Sequence, residues 1–131
     1  MENISVIPAS TWTFYYRGYH QSGGMTVHYD VDILIRQSDG TVRSTIATNV
    51  ANSPDPGTSE TTVSVTYSWA KYTVVDRTDH LEVDYYLEVT RVASGKNAYL
   101  IIDKNTIAAS LQTRVSGISL KCPFDMTALY F

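Results

Sequence analysis

Carboxylate side chains are the largest group of residues in this sequence that could take part in chemistry. They lie at alternate positions of two apolar segments: Asp30 and Asp32 in one, and Glu82, Asp84 and Glu88 in the other. If the segments are neighbouring strands, the carboxylates share one surface, where like charges raise one another's pKa. Paired carboxylic acids of this kind hydrolyse glycosidic bonds. The alternative, which we adopt, is a solvated strand face neutralised by Arg36, Arg91 and Lys71.

A second acidic group lies near predicted turns and consists of Asp76, Asp79 and Asp103. Carboxylate oxygens presented from loops are the ligands that Ca²⁺ prefers. The group therefore suggests a structural Ca²⁺ ion, and we expect no other cofactor. Aspartate also caps turns through its own side chain, and that alternative remains open.

The other residue types that often carry catalysis do not form catalytic patterns. His20, His28 and His80 lack the close spacing of metal ligands on one strand or helix, and we interpret them as surface residues. No serine lies in a Gly-x-Ser-x-Gly turn. Cys122 is the single cysteine, so no disulfide can form within the chain. We therefore predict no catalytic residue and no enzymatic activity.

Tyrosine is abundant, with ten residues in the chain. Tyr15, Tyr19 and Tyr86 fall on the outward side of predicted strands. Exposed tyrosine rings stack on sugars, and tyrosine is also enriched at protein interfaces. In a carbohydrate-binding protein, these three rings would be joined by polar contacts from three acidic residues: Asp30, Asp32 and Glu82.

An alternation of apolar and polar residues positions these side chains. In the segment 80–89, Leu81, Val83 and Leu87 share one side with other apolar residues, and the polar residues share the other. Successive side chains of a strand point to opposite faces, so the segment is predicted to be a half-buried strand. The same alternation occurs in residues 11–20, 25–37, 60–69 and 111–120. The one helical turn that we predict is Thr106–Ser110.

Turn signals separate the alternating segments. Ser38-Asp39-Gly40 is typical of a tight hairpin, and Pro54, Pro56 and Gly57 mark a loop. Eight or nine strands in 131 residues indicate one all-β domain covering residues 1–131. We predict a jelly-roll-like antiparallel β-sandwich.

Composition excludes two classes of partner. The net charge is −3, and the ten basic residues are scattered, whereas a nucleic-acid interface requires clustered lysine and arginine. No apolar stretch approaches the roughly 20 residues of a membrane-spanning helix. Residues 1–6 lack the basic and apolar regions of a signal peptide. The predicted location is extracellular, at a cell surface or in a virion, either as an excised or mature form or as a virion component made in the cytoplasm.

The C-terminal segment 121–131 is unusually apolar for a chain end. We predict that it acts either as an edge strand of its own sheet or as an assembly strand on a neighbouring subunit. The residues that would make the assembly contact are large and mostly apolar: Phe124, Met126, Leu129, Tyr130 and Phe131.

Four segments together resemble a known class of module: residues 12–17, residues 30–36 with the turn 38–41, residues 67–69 and residues 78–86. They read WTFYYR, DVDILIR with SDGT, YSW, and TDHLEVDYY. This pattern resembles β-sandwich modules of large prokaryotic, especially archaeal, surface and filament proteins and of virus or phage structural proteins. The resemblance covers about residues 10–120 and implies a structural or adhesive module without catalytic residues.

These observations predict a non-enzymatic structural subunit of a multimeric surface structure, filament or virion. It would assemble with copies of itself through sheet edges and the C-terminal segment. The alternative is a carbohydrate-binding β-sandwich module that uses the outward tyrosines.

Overall fold

A computed structural model describes residues 6–51, 53–91, 95–102, 105–109 and 114–124. These ranges contain strands and no helix. The strands are β1 (Val6–Ile7), β2 (Ser10–His20), β3 (Thr26–Arg36), β4 (Val42–Val50), β5 (Thr61–Trp69), β6 (Tyr72–Thr73), β7 (His80–Arg91), β8 (Ala98–Ile102), β9 (Asn105–Ala109) and β10 (Arg114–Pro123). The prediction of an all-β chain is confirmed.

The strands form two four-stranded antiparallel sheets and one small pair. The sheet with the order β10-β7-β3-β4 is called the β7 sheet below, and the sheet with the order β5-β2-β8-β9 is called the β2 sheet. The two-residue strands β1 and β6 pair with each other. Consecutive strands often lie in different sheets, so the chain crosses repeatedly between the two layers.

Aromatic rings from both sheets meet between the layers. The Tyr85 ring of β7 lies 4.7 Å from the Tyr16 ring and 6.0 Å from the Phe14 ring, both of β2. The Tyr29 ring of β3 stacks on Tyr16 at 5.2 Å. Around them lie buried aliphatic side chains, including Val27, Val31, Ile33, Ile35, Val63, Val65, Leu81, Leu87, Val89 and Leu100. The sheets therefore pack face to face in a β-sandwich-like arrangement with the core between them.

Gly18 permits one close approach between the layers. It lies on the inward side of β2, and a Cβ atom there would overlap the Tyr29 hydroxyl and the Tyr99 carbonyl oxygen. Without that Cβ, the Tyr29 hydroxyl donates a hydrogen bond to the Tyr99 carbonyl at 2.6 Å. Burial raises the pKa of Tyr29, with a further contribution from the nearby Asp55 charge. This hydrogen bond ties β3 of one sheet to β8 of the other.

The loop after β4 completes the β7 sheet with side chains. The Tyr29 amide donates to Ser53 Oγ at 3.1 Å, and the Val27 amide donates to Asp55 Oδ2 at 2.9 Å. Asp55 Oδ1 also accepts from the Gly57 amide at 2.8 Å and lies 2.6 Å from His20 Nε2. Burial acts against ionisation of Asp55, but these hydrogen bonds hold its pKa below the usual value. Ser53 and Asp55 thus satisfy backbone amides of β3 beyond the end of β4.

Two predictions about secondary structure and burial are wrong. Residues 106–109, predicted to lie in a helical turn, belong to strand β9, which pairs with β8. The outward side of β3 and β7 is not uniformly solvated, because Asp30 is fully buried and Glu82 is 4% exposed. Both are on central strands of the β7 sheet, where side chains from strands on either side flank them.

Candidate functional sites on two sheet faces and one sheet edge

The predicted carboxylate surface lies on the outer side of the β7 sheet. Strands β3 and β7 are direct neighbours, and Asp32 lies opposite Asp84 in their register. Glu82 precedes Asp84 by two residues and therefore shares its face. On the other side of β7, Ser119 lies opposite Asp84 and Lys121 opposite Glu82. We call Asp32, Glu82 and Asp84 the carboxylate cluster.

Basic side chains balance most of this charge. Arg36 donates from Nε to Glu82 Oε2 at 2.7 Å and from Nη1 to the Gly40 carbonyl at 2.9 Å. The Lys121 ammonium lies 4.0 Å from Glu82 Oε1. Of the residues predicted to neutralise the face, Arg36 does so, whereas Lys71 lies between β5 and β6. Lys121 was not among the residues predicted, because its strand partner is not evident from the sequence.

Asp84 is the residue of the carboxylate cluster whose pKa is raised. Its burial raises its pKa, and the Glu82 and Asp32 carboxylates raise it further, against a hydrogen bond from the Ser119 side chain. Asp32 is held differently, because its Oδ1 accepts a hydrogen bond from the Asn49 amide at 2.8 Å. Asp84, with its raised pKa, therefore lies beside a Glu82 carboxylate that is bound by Arg36, on the outer face of the β7 sheet.

The residues predicted to bind Ca²⁺ have other partners where the structure describes them. Asp79 is 1% exposed and forms an ion pair with Arg43 that uses both carboxylate oxygens. Asp76 Oδ1 accepts from the Thr78 amide and hydroxyl, each at 2.9 Å, as a turn-capping aspartate does. Asp103 lies outside the described residues. Within the described ranges, no three His, Cys, Asp or Glu residues are placed to hold a metal ion together.

The predicted carbohydrate-binding residues do not converge on one surface. Tyr15 and Tyr19 lie on the outer side of β2, because their neighbours Phe14 and Tyr16 point into the core. Tyr86 lies on the outer side of β7, with Asp30, Asp32 and Glu82 on the same face of the β7 sheet. The two outer faces are on opposite sides of the sandwich, so the predicted set of six residues is wrong as one site.

A different group assembles around Tyr15 and Tyr19. Tyr99 of β8 lies directly opposite Tyr19 in the register, and the two ring centroids are 4.8 Å apart. Tyr15 is 68% exposed. Arg17 lies between Tyr15 and Tyr19 in sequence, and its Nε atom is 2.5 Å from Glu60 Oε1. The surrounding outward residues of β2 and β5 are short hydroxyl side chains, and the half-buried Ile101 of β8 lies opposite Arg17. The hydroxyl residues are Thr11, Thr13, Thr62, Ser64, Thr66 and Ser68. We call this surface the tyrosine–hydroxyl face.

Tyr99 was not among the predicted carbohydrate-binding residues, although residues 98–102 form a strand in which it points outward. Alternation in residues 98–102 places Tyr99 opposite in parity to the buried Leu100. What the sequence does not reveal is that β8 pairs with β2 rather than with another strand. That pairing brings Tyr99 to Tyr19.

The free edge of β5 is the third feature. Among the described residues, β5 pairs with β2 and with no other strand. Nine consecutive residue pairs join them without a register shift. None of the nine residues of β5 is charged. The opposite sheet is different, because the β3–β4 pairing has three register shifts and β10 contains a shift and Lys121.

The structure also places the histidines and the C-terminal assembly residues. His20 is buried against Asp55, so its interpretation as a surface residue is wrong, and His28 and His80 are half-buried. Phe124 is 1% exposed and belongs to the core of its own chain, so it is not an exposed assembly contact. Its amide donates to the Asp79 carbonyl at 3.3 Å. Met126, Leu129, Tyr130 and Phe131 lie outside the described residues.

Comparison with protein-family models, with curated proteins and with solved structures returns no match to this chain. In the part of the chain that the structure describes, there is no helix with the length and apolar character needed to cross a membrane.

Proposed function

We propose that this protein is a non-enzymatic structural subunit of a multimeric surface structure, filament or virion. The observation that carries the proposal is the edge of β5, a strand that pairs only with β2 among the described strands. It is nine residues long, uncharged and paired with β2 without a register shift. A strand at a sheet edge presents unpaired amide and carbonyl groups to any strand that approaches. Such an edge is a template for strand addition.

The other described edges carry features that block strand addition. Natural sheets protect their edges with bulges, charged side chains, proline or short strands. β4 is bulged and contains Arg43, β10 has one register shift and contains Lys121, and β9 is five residues long. β5 carries none of these protections. The contrast within one molecule supports β5 as the assembly edge.

The occupant of this edge is a strand from another copy. Residues 125–131 contain one charged side chain, Asp125, and we propose that they supply the strand. The anchoring of Phe124 in its own core fixes where this segment begins. We further propose a jelly-roll-type sandwich, supported by the two four-stranded antiparallel sheets, and a location outside the cell, at its surface or in a virion.

A pair of double-lysine variants tests the edge. In Ser64→Lys/Thr66→Lys, both substitutions lie on the outward side of β5, and we expect a folded monomer because lysine side chains on an edge strand oppose strand addition. The matched control is Thr45→Lys/Thr48→Lys on exposed positions of the bulged edge β4. Light scattering measures the mass, and circular dichroism confirms folding. Assembly of the β5 variant at the wild-type mass would contradict the proposal.

A truncation tests the occupant separately. Deletion of residues 125–131 keeps the buried Phe124 and should leave a folded monomer. If the truncated chain still assembles while Ser64→Lys/Thr66→Lys does not, β5 is the edge but the C-terminal segment is not its partner.

A further inference from the structure

The tyrosine–hydroxyl face is a second surface, formed by outward side chains of β2, β5 and β8, whereas the β5 edge is formed by backbone groups. Tyr15 is 68% exposed and is the one aromatic residue among the large exposed apolar residues that the structure describes. The other large exposed apolar residues are aliphatic and lie off this face: Val6, Val42, Val75 and Leu120. The face thus combines flat aromatic rings with hydroxyl groups, beside the half-buried Ile101 of β8.

The tyrosines form a line along β2. Tyr15 and Tyr19 are four residues apart in one strand, which corresponds to about 13 Å. Tyr99 broadens the aromatic surface at the Tyr19 end, with its ring inclined by 32° to that of Tyr19. Arg17 lies between the two rings in sequence and on the same face. The spacing exceeds one sugar ring, so a ligand that contacts both ends is a chain.

Charge further restricts the ligand. Arg17 is paired with Glu60, and no carboxylate of the cluster on the β7 sheet reaches this side of the sandwich. Among the described residues, the face therefore has no unpaired charge that would attract an acidic or a basic ligand. Its remaining polar groups are hydroxyls, which both donate and accept hydrogen bonds.

We propose that the tyrosine–hydroxyl face binds an uncharged oligosaccharide. The Tyr15 ring and the Tyr19–Tyr99 pair stack on the apolar faces of sugar rings, and the threonine and serine hydroxyls bond to sugar hydroxyls. A second protein would fit this face poorly, because the centres of protein interfaces are depleted in glutamate and serine, whereas here the Arg17–Glu60 ion pair and hydroxyl side chains surround the tyrosine rings. The site differs from the acidic and aromatic set predicted from the sequence, since it excludes Tyr86, Asp30, Asp32 and Glu82.

Titration calorimetry with a panel of uncharged oligosaccharides tests this site on the full chain. We expect at least one member to bind, and both Tyr15→Ala and Tyr99→Ala to weaken that binding about tenfold. Tyr15→Phe should retain it, because the ring and not the phenol hydroxyl makes the stacking contact. The matched control is Tyr86→Ala, on the opposite face, which should leave the affinity unchanged.

Three results would overturn the proposal. The first is the absence of binding to any member of the panel. The second is an equal loss of affinity in Tyr86→Ala, which would place the sugar on the other sheet. The third is a Tyr15→Ala variant that changes the mass of the sugar-free protein in light scattering, because the face would then be a protein contact. None of these depends on the β5 edge, so the two proposals fail separately.

Discussion

At the scale of single residues, the lack of a side chain at Gly18 leaves room for the Tyr29 hydroxyl, whose hydrogen bond to the Tyr99 carbonyl joins the two sheets. We expect Gly18→Ala to lower the free energy of unfolding by about 1–3 kcal/mol, because the new methyl group must displace Tyr29 or the β8 backbone. Gly23→Ala is the matched control, since a Cβ atom there meets nothing within 4 Å. Urea unfolding of both variants measures the difference. Equal stability of the two variants would mean that the layers are not packed as described.

A second prediction at this scale concerns the carboxylate cluster. The folded state raises the pKa of Asp84, so it binds the proton more tightly than the unfolded state does. Stability associated with this group is therefore present at low pH and is lost as the pH rises through the folded pKa. Asp84→Asn should be more stable than the wild type at pH 7 by about 0.2–1 kcal/mol, the usual size of a cross-strand like-charge effect.

The pH dependence separates this effect from a general change in packing. The advantage of Asp84→Asn over the wild type should shrink as the pH falls through the folded pKa of Asp84. Asp39→Asn is the control with the opposite sign, because hydrogen bonds from Thr41 hold the pKa of Asp39 below its usual value. That variant should be less stable than the wild type at neutral pH. Urea unfolding between pH 7 and pH 3 measures both, and an Asp84→Asn variant no more stable at pH 7 would refute the repulsion.

At the scale of strands and loops, side chains of the loop after β4 accept hydrogen bonds from β3 amides that a longer β4 would otherwise bind. Asp55→Ala leaves the Val27 amide and the buried His20 ring without their acceptor. We expect a loss of about 1–3 kcal/mol in the free energy of unfolding, the usual penalty for buried unsatisfied groups. Thr58→Ala, at an exposed position of the same loop, is the control. A thermal melt distinguishes them, and similar midpoints would show that Asp55 does not hold the loop.

The alternation of side chains predicted the strands better than it predicted their surroundings. It located β3 and β7 because apolar residues recur at every second position, a signal carried within each segment. It failed at β9, where five residues without a strong alternation pair with β8. It also failed for Asp30, because burial of an outward side chain depends on neighbouring strands that lie far away in sequence.

The sequence predicted candidate sites correctly only where the site residues are close in sequence or where the assumed order of the strands is the observed one. The opposition of Asp32 and Asp84 followed from one assumption, that β3 and β7 are neighbours, and the register confirms it. The tyrosine set failed because parity within a strand does not reveal which sheet the strand joins. Tyr86 and Tyr15 are both outward, yet they lie on opposite sides of the molecule.

At the scale of the whole molecule, the two sheets differ in ways that suit different roles. The β7 sheet carries a balanced network of carboxylates, Arg36 and Lys121 on its outer face and a bulged edge at β4. The β2 sheet carries the tyrosine–hydroxyl face and the regular edge β5. Addition of a strand to β5 would extend the β2 sheet and would leave the β7 sheet as it is.

Association of native copies is tested by the light-scattering mass of the 131-residue chain over a range of concentrations. We expect masses that are multiples of 14.6 kDa and that grow with concentration, with filaments or particles in negative-stain electron micrographs. A constant mass of 14.6 kDa at every concentration would contradict it.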